Sequence, residues 1–162
     1  MRLFKITRAA LLYLLAAFSL QLAAFSCTSV DLFEKSVAIP GHAWSSSFKP
    51  TFKFNIKDTT VPYRFFLVLR HNEKYNFSNI YINLYAKPPR TDSNQRIQLS
   101  LNLANNEGWL GSGMDDIYEH RIPLGDPQTL KAGEYSFTIE QIMREDPLKN
   151  VLNVGLRLEK KQ

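Results

Sequence analysis

Two hydrophobic patterns divide the chain. Positions 9–24 are almost wholly apolar, broken only by Ser19 and Gln21, whereas beyond residue 50 apolar and polar residues alternate with the period of a half-buried β-strand. Phe52, Phe54 and Ile56 alternate with Lys53, Asn55 and Lys57. Ile80, Ile82, Leu84 and Ala86 alternate with Tyr81, Asn83 and Tyr85. The cleanest run places Ile97, Leu99, Leu101 and Leu103 against Gln98, Ser100 and Asn102, so Leu99 and Leu101 are expected in the core, with Gln98 and Ser100 on the other face. Tyr63–Arg70 is apolar on both parities, which predicts a central strand covered on both faces. Further strands are predicted over 117–124, from Tyr135 through Ile139, and from Leu152 through Leu158.

Turn chemistry separates these runs. Asp58–Pro62 and Gly125-Asp126-Pro127 read as turns, and Pro88-Pro89 stops a strand because proline donates no ladder hydrogen bond. Residues 71–79 and 105–113 read as connections. Glu145–Asn150, with Asp146-Pro147, reads as the loop of a hairpin joining the last two strands; helix formers over 140–145 allow a helical turn there, but strand is preferred. Seven or eight short strands without a long helical pattern predict an all-β antiparallel sandwich, with a jelly roll or partly open barrel as the alternative.

The N-terminal run changes the picture from a cytoplasmic to an exported chain. Arg2, Lys5 and Arg8 precede the apolar stretch, and Phe25-Ser26-Cys27 follows it, which is the layout of a secretory signal. The run is short and interrupted for a membrane span, which takes about 20 apolar residues. Cys27 is the only cysteine, so it forms no internal disulfide. Its position resembles a lipobox, in which the cysteine is acylated and becomes the mature N-terminus. Ala24 and Phe25 depart from the leucine and small residue that such a box prefers. The expected division is a signal peptide at 1–26, a lipidated tether at 27–35 and a β-sandwich domain at 36–162. The expected location is the cell envelope at the outer membrane. Without Arg2, Lys5 and Arg8 the chain has 17 Lys+Arg against 15 Asp+Glu. A nearly neutral exported domain offers no electrostatic footprint for nucleic acid.

Candidate chemistry is sparse. His42, His71 and His120 are not at metal-ligand spacing, and Asp115-Asp116 with Glu119 and His120 reads as a solvated turn before a cation site. Gly111-Ser112-Gly113 lacks the strand–loop–helix setting of a phosphate loop. No metal, no cofactor and no catalytic set is therefore expected, and the chain reads as non-enzymatic. Two segments stand apart from the simple strands, 70–79 and 108–113, because they concentrate Arg, Asn, Tyr and Trp with glycine. Arg70, Asn72, Tyr75, Asn79 and Trp109 form the candidate partner patch, since rigid sheets present such connections to partners. The competing reading is structural: asparagine and glycine build turns, and Tyr and Trp anchor loops on a core.

Taken in order, several segments resemble the gliding-motility lipoprotein GldH family of Bacteroidetes. They are Trp44; Phe52–Thr59; Tyr63; Leu69-Arg70-His71-Asn72; Tyr75, Phe77 and Asn79-Ile80-Tyr81; Gly108–Gly113; Gly133–Phe137; Gln141–Arg144; and Val154-Gly155-Leu156. Asn76 departs from the proline the family favours. The resemblance implies an envelope lipoprotein of the gliding machinery, tied to the type 9 secretion apparatus. Its implied partners are the membrane, through the lipid anchor, and other envelope proteins of that machinery. The alternative is a glycan-binding surface lipoprotein, which would use Trp109, Tyr75 and Tyr81 as an exposed flat platform.

Overall fold

The computed structural model describes residues 32–161. The signal segment and Cys27 lie outside the described residues. Fourteen strands follow in chain order: β1 (Leu32–Ala38), β2 (Ala43–Trp44), β3 (Thr51–Ile56), β4 (Pro62–Asn72), β5 (Asn79–Lys87), β6 (Gln95–Asn102) and β7 (Ala104–Asn105). The second half contains β8 (Gly108–Trp109), β9 (Ser112–Met114), β10 (Ile117–Pro123), β11 (Gln128–Thr129), β12 (Gly133–Gln141), β13 (Leu148–Lys149) and β14 (Val151–Lys160). One 3₁₀ turn, Pro40–His42, is the helical element among the described residues.

Two antiparallel sheets form the sandwich, and neither closes into a barrel. The larger runs β1-β14-β4-β10-β9, with β11 on the near end of β4; the smaller runs β3-β12-β5-β6. Alternation explains the layering. In β3 the pattern over Thr51–Ile56 is strictly exposed–buried, and Phe52, Phe54 and Ile56 all enter the core. Rings cross the gap between sheets: Phe65 of β4 lies 5.0 Å from Phe137 of β12, and Phe33 of β1 lies 5.3 Å from Phe54 of β3. Leu67, Leu69, Ile139 and Leu156 are fully buried at this seam.

The central strand is β4, as its double apolar parity predicts, but its two faces are covered differently. The inner face packs on the smaller sheet. On the outer face Val68 sits between Arg121 and Gly155 and is only 3% exposed. Its cover is a row of ion pairs: Arg70–Glu119, Glu119–Arg121 at 2.9 Å, Arg121–Glu34 at 3.9 Å, Glu34–Arg157 at 2.7 Å and Arg157–Glu159 at 2.9 Å. Gly155 opens the way, because a Cβ there would stand 2.6 Å from the Lys35 carbonyl oxygen.

Four expectations are corrected. Residues 142–150 do not close a hairpin: β12 belongs to the smaller sheet and β14 to the larger, so the segment crosses between layers. Both strands bury one apolar face in either arrangement, so alternation alone does not distinguish side-by-side from face-to-face partners. Residues 32–35, assigned to the tether, are strand: β1 pairs with β14 from Leu32↔Glu159 onward. Leu101 is buried as expected, but Leu99 is only partly buried and Ile97 is 44% exposed, because β6 is the sheet edge and the opposing layer does not reach over its first half. The 105–113 loop also carries β8 and part of β9.

Candidate functional site

Arg70, Asn72, Tyr75, Asn79 and Trp109 all come from the end of the sandwich remote from Leu32. Leu32 pairs with Glu159, which pairs with Arg64 near the start of β4, whereas Arg70 and Asn72 close its far end. The five do not form one surface. Arg70 points outward and is half-exposed, holding Glu119 through Nε and Nη2. The Asn72 side chain accepts from the Lys74 N–H at 3.0 Å, and its carbonyl accepts from the Tyr75 N–H, so it builds the turn. Tyr75 is 4% exposed and donates its hydroxyl to the Asn79 carbonyl; burial raises its pKa.

Between these residues lies a feature the sequence reading passed over. His71 follows Leu67 and Leu69 in phase on the inner face of β4, and His120 sits on the inner face of β10, two residues from Ile122. Both are buried, with Nε2 atoms 2.9 Å apart. His71 Nδ1 lies 2.7 Å from the Asn72 carbonyl oxygen, which only accepts, so Nδ1 carries the proton. In the neutral pair His71 Nε2 is then the acceptor, and His120 donates from Nε2. Burial lowers the pKa of His71. Burial, and secondarily the neighbouring imidazole, lowers that of His120 to about 4.

Aromatic rings enclose the pair. Trp109 lies 4.3 Å from His71 between centroids, Tyr75 5.0 Å and Tyr118 5.7 Å. The glycines of the 108–113 segment let its backbone close over these rings. A Cβ on Gly111 would stand 2.6 Å from the Glu119 carbonyl oxygen and 2.9 Å from His120, and one on Gly113 would stand 3.0 Å from Tyr118. Gly111→Ala should therefore cost about 1–3 kcal/mol of stability. A urea titration checks this, and an unchanged midpoint would mean that the segment does not pack on His120.

Trp109, Tyr75 and Tyr81 make no platform. The first two rings sit against the His71 side of the core, while Tyr81 is 41% exposed on the outer face of the smaller sheet. That outer face is organised by Glu140, which accepts from Lys49 at 2.6 Å, from the Tyr85 hydroxyl at 2.6 Å and from Asn83 Nδ2 at 3.0 Å. The Lys49 hydrogen bond leads in holding its pKa at about 2. The far end also exposes apolar side chains. Met114 and Ile117 are directly paired across β9 and β10, 77% and 37% exposed, beside Asn72. Their apolar character in a polar stretch was the available signal.

Among the described residues no group of three or more His, Cys, Asp or Glu side chains is placed to hold a metal ion. A cleft of about 660 Å³ opens between the sheets at the Leu32 end, with Phe65, Leu84, Leu130 and Phe137 inside it and Arg90 and Lys131 among its lining; no histidine or carboxylate lines it.

A family model described as GldH lipoprotein matches residues 31–158. The gliding motility lipoprotein GldH of Flavobacterium johnsoniae is 30% identical over 145 residues, 85% of this chain and 89% of its own length. The gliding motility lipoprotein GldH homolog of Christiangramia forsetii is 26% identical over 144 residues, 83% of this chain and 87% of its own. Among solved structures, a carbohydrate-binding module specific for non-crystalline cellulose, CBM28, aligns with a TM-score of 0.46 at 13% identity, over 80% of this chain and 73% of its own.

Proposed function

The chain belongs to the GldH lipoprotein family, and from that membership we propose that it is a non-enzymatic, lipid-anchored component of the gliding machinery, tied to type 9 secretion and held at the outer membrane through Cys27. The observation that carries this reading is the extent of the match: residues 31–158 take in nearly the whole described sandwich, and both relatives bear the gliding name over most of their length. The cleft between the sheets, lined by Lys131 and Tyr135 but by no histidine or carboxylate, supports a binding role. Within that role the far end of the larger sheet is the docking surface for another envelope protein. Arg70 supplies a half-exposed guanidinium, and Met114 and Ile117 supply the apolar contact, a pairing favoured at interface centres. Tyr75 and Trp109 pack around His71 on the inner side of this strand end, and Asn79 accepts from the Tyr75 hydroxyl.

Complementation of a deletion strain tests both parts. Cys27→Ala should abolish labelling by a fatty-acid analogue and fail to restore gliding; continued acylation with wild-type fractionation would refute the anchor. Met114→Asp with Ile117→Asp should fail to complement while costing about 1 kcal/mol of stability for the two exposed positions together. Full complementation by that variant would remove the docking surface from this corner.

A further inference from the structure

The end of the sandwich where the chain enters the fold differs in charge from the end that carries Arg70 and Met114. The rows Leu32–Glu159–Arg64 and Lys160–Tyr63–Gln128 define it on the larger sheet. On the smaller sheet, Ile56–Gly133 and Ala86–Gln95 lie at the same end, because Asp58 reaches Lys160 at 3.1 Å and its carbonyl accepts from the Tyr63 hydroxyl. Lysines and arginines collect there. Lys53, Lys87 and Lys160 are each neutralised, by Glu134, Asp92 and Asp58. Lys57, Arg64, Arg90, Arg96, Lys131 and Lys161 form no ion pair among the described residues, and all but Arg64 are exposed. Three of the four loops closing this end supply one of them, Lys57 after β3, Arg90 after β5 and Lys131 before β12; the fourth joins β10 to β11 and carries Asp126. Asp126 is the one carboxylate in those loops without a counter-ion. The opposite end mixes signs, with Glu73, Asp115 and Asp116 beside the exposed Met114 and with Lys74 and Lys149 also exposed.

The anchor gives this asymmetry a direction. Only residues 28–31 separate Cys27 from β1, a reach of about 17 Å when fully extended, and they join the fold at the basic end. The opposite end of β4 is nine residues further on, about 30 Å away. We propose that the basic end rests on the anionic headgroups of the membrane that holds the anchor, so that the sandwich stands upright and presents Arg70, Met114 and Ile117 away from the surface. A lipid anchor fixes the chain's attachment but not its tilt, and electrostatic attraction falls off within a Debye length, so cations at the tethered end are the ones that set the orientation. This inference rests on the lipid-anchored reading above.

The test uses the mature lipoprotein in vesicles of phosphatidylcholine, alone or mixed with phosphatidylglycerol. With Cys27 acylated, a cysteine introduced as Ala132→Cys or Met114→Cys is the single site for a fluorophore. Headgroup-borne quenchers should quench the label at 132 several-fold more than the label at 114 in anionic vesicles. High salt, or Lys57→Glu with Arg90→Glu and Lys131→Glu, should erase the difference. Without the anchor's contribution, each lost cation should weaken partition by about fivefold. These exposed substitutions leave the core untouched, and circular dichroism verifies folding. Equal quenching at both ends, or a difference indifferent to lipid charge, would overturn the proposal. Loss of the difference on adding inorganic phosphate, but not chloride of equal ionic strength, would assign the cations to free phosphate and overturn it too. Flotation separates this from the parent reading: protein that fails to float with neutral vesicles lacks the anchor, whatever its basic end does.

Discussion

Acidification from pH 7 to pH 4 should remove about 3 kcal/mol of folding free energy through the buried imidazole pair, with most of the loss falling before the carboxylates begin to titrate. The folded-state pKa of His120 is about 4 against an ordinary 6.5, and each unit of such a difference is worth about 1.4 kcal/mol. The unfolded chain therefore binds its proton first as pH falls. The contribution is complete above pH 6.5, declines through the interval below it and is exhausted near pH 4. His71 shifts in the same direction for the same cause, burial. Glu140 and Asp58 also have depressed pKa values, both about 2, led by hydrogen bonds from Lys49 and Thr60 respectively. Their contributions hold above the unfolded carboxylate range and are lost only below it. The window from pH 6.5 to 4.5 thus belongs to the histidines.

Urea midpoints measured across that window check the prediction, with the m-value constant if the transition stays two-state. His120→Gln keeps a side-chain donor toward His71 Nε2 and removes one titration, so it should lose most of the slope. A wild-type midpoint flat from pH 7 to 4.5 would show that the pair is not held neutral in the fold.

How much of this was legible beforehand differs by kind of interaction. Face assignment was legible: Phe52, Phe54 and Ile56, and likewise Tyr135, Phe137 and Ile139, take the sides that period two gives them. Pairing was not. Leu152–Leu158 and Tyr135–Ile139 alternate equally well as neighbours in one sheet or as facing layers, and the structure chose facing layers. The ion-pair row over Val68 joins Glu34, Arg70, Glu119, Arg121 and Arg157, contacts set by register and invisible in one dimension. The histidine pair was recoverable in part, because His71 continues the inward phase of Leu67 and Leu69. Its partner was hidden by a separation of 49 positions. The polar-aromatic segments were read as a surface, yet most of their rings face inward. An aromatic next to glycine looks the same whether the glycine frees the ring for a partner or, as at Gly111, lets backbone press against the core.

Trp109→Ala and Arg70→Ala should separate sharply, although both residues were candidates for one patch. Trp109 packs on the core and against His71, with Tyr118 and Tyr75 at 5.7 and 6.2 Å. Its removal leaves a cavity beside the buried pair. A tryptophan truncation in a full core costs about 3–5 kcal/mol, and partial exposure here sets the expectation at about 2–4 kcal/mol. Water entering the cavity should also solvate His71, raise its pKa toward the ordinary value and flatten the pH dependence, a signature that simple loss of stability would not produce. Arg70 and Glu119 form an ion pair on a half-exposed side chain, so Arg70→Ala should cost no more than about 1 kcal/mol and leave the pH profile intact. In complementation, Trp109→Ala should fail in proportion to its loss of folded protein and recover with Trp109→Phe, which refills part of the cavity. Arg70→Ala should remain folded and lose function through docking alone. If Trp109→Ala instead kept the wild-type urea midpoint and still failed to complement, the ring would belong to the interface and the packing argument for it would be wrong.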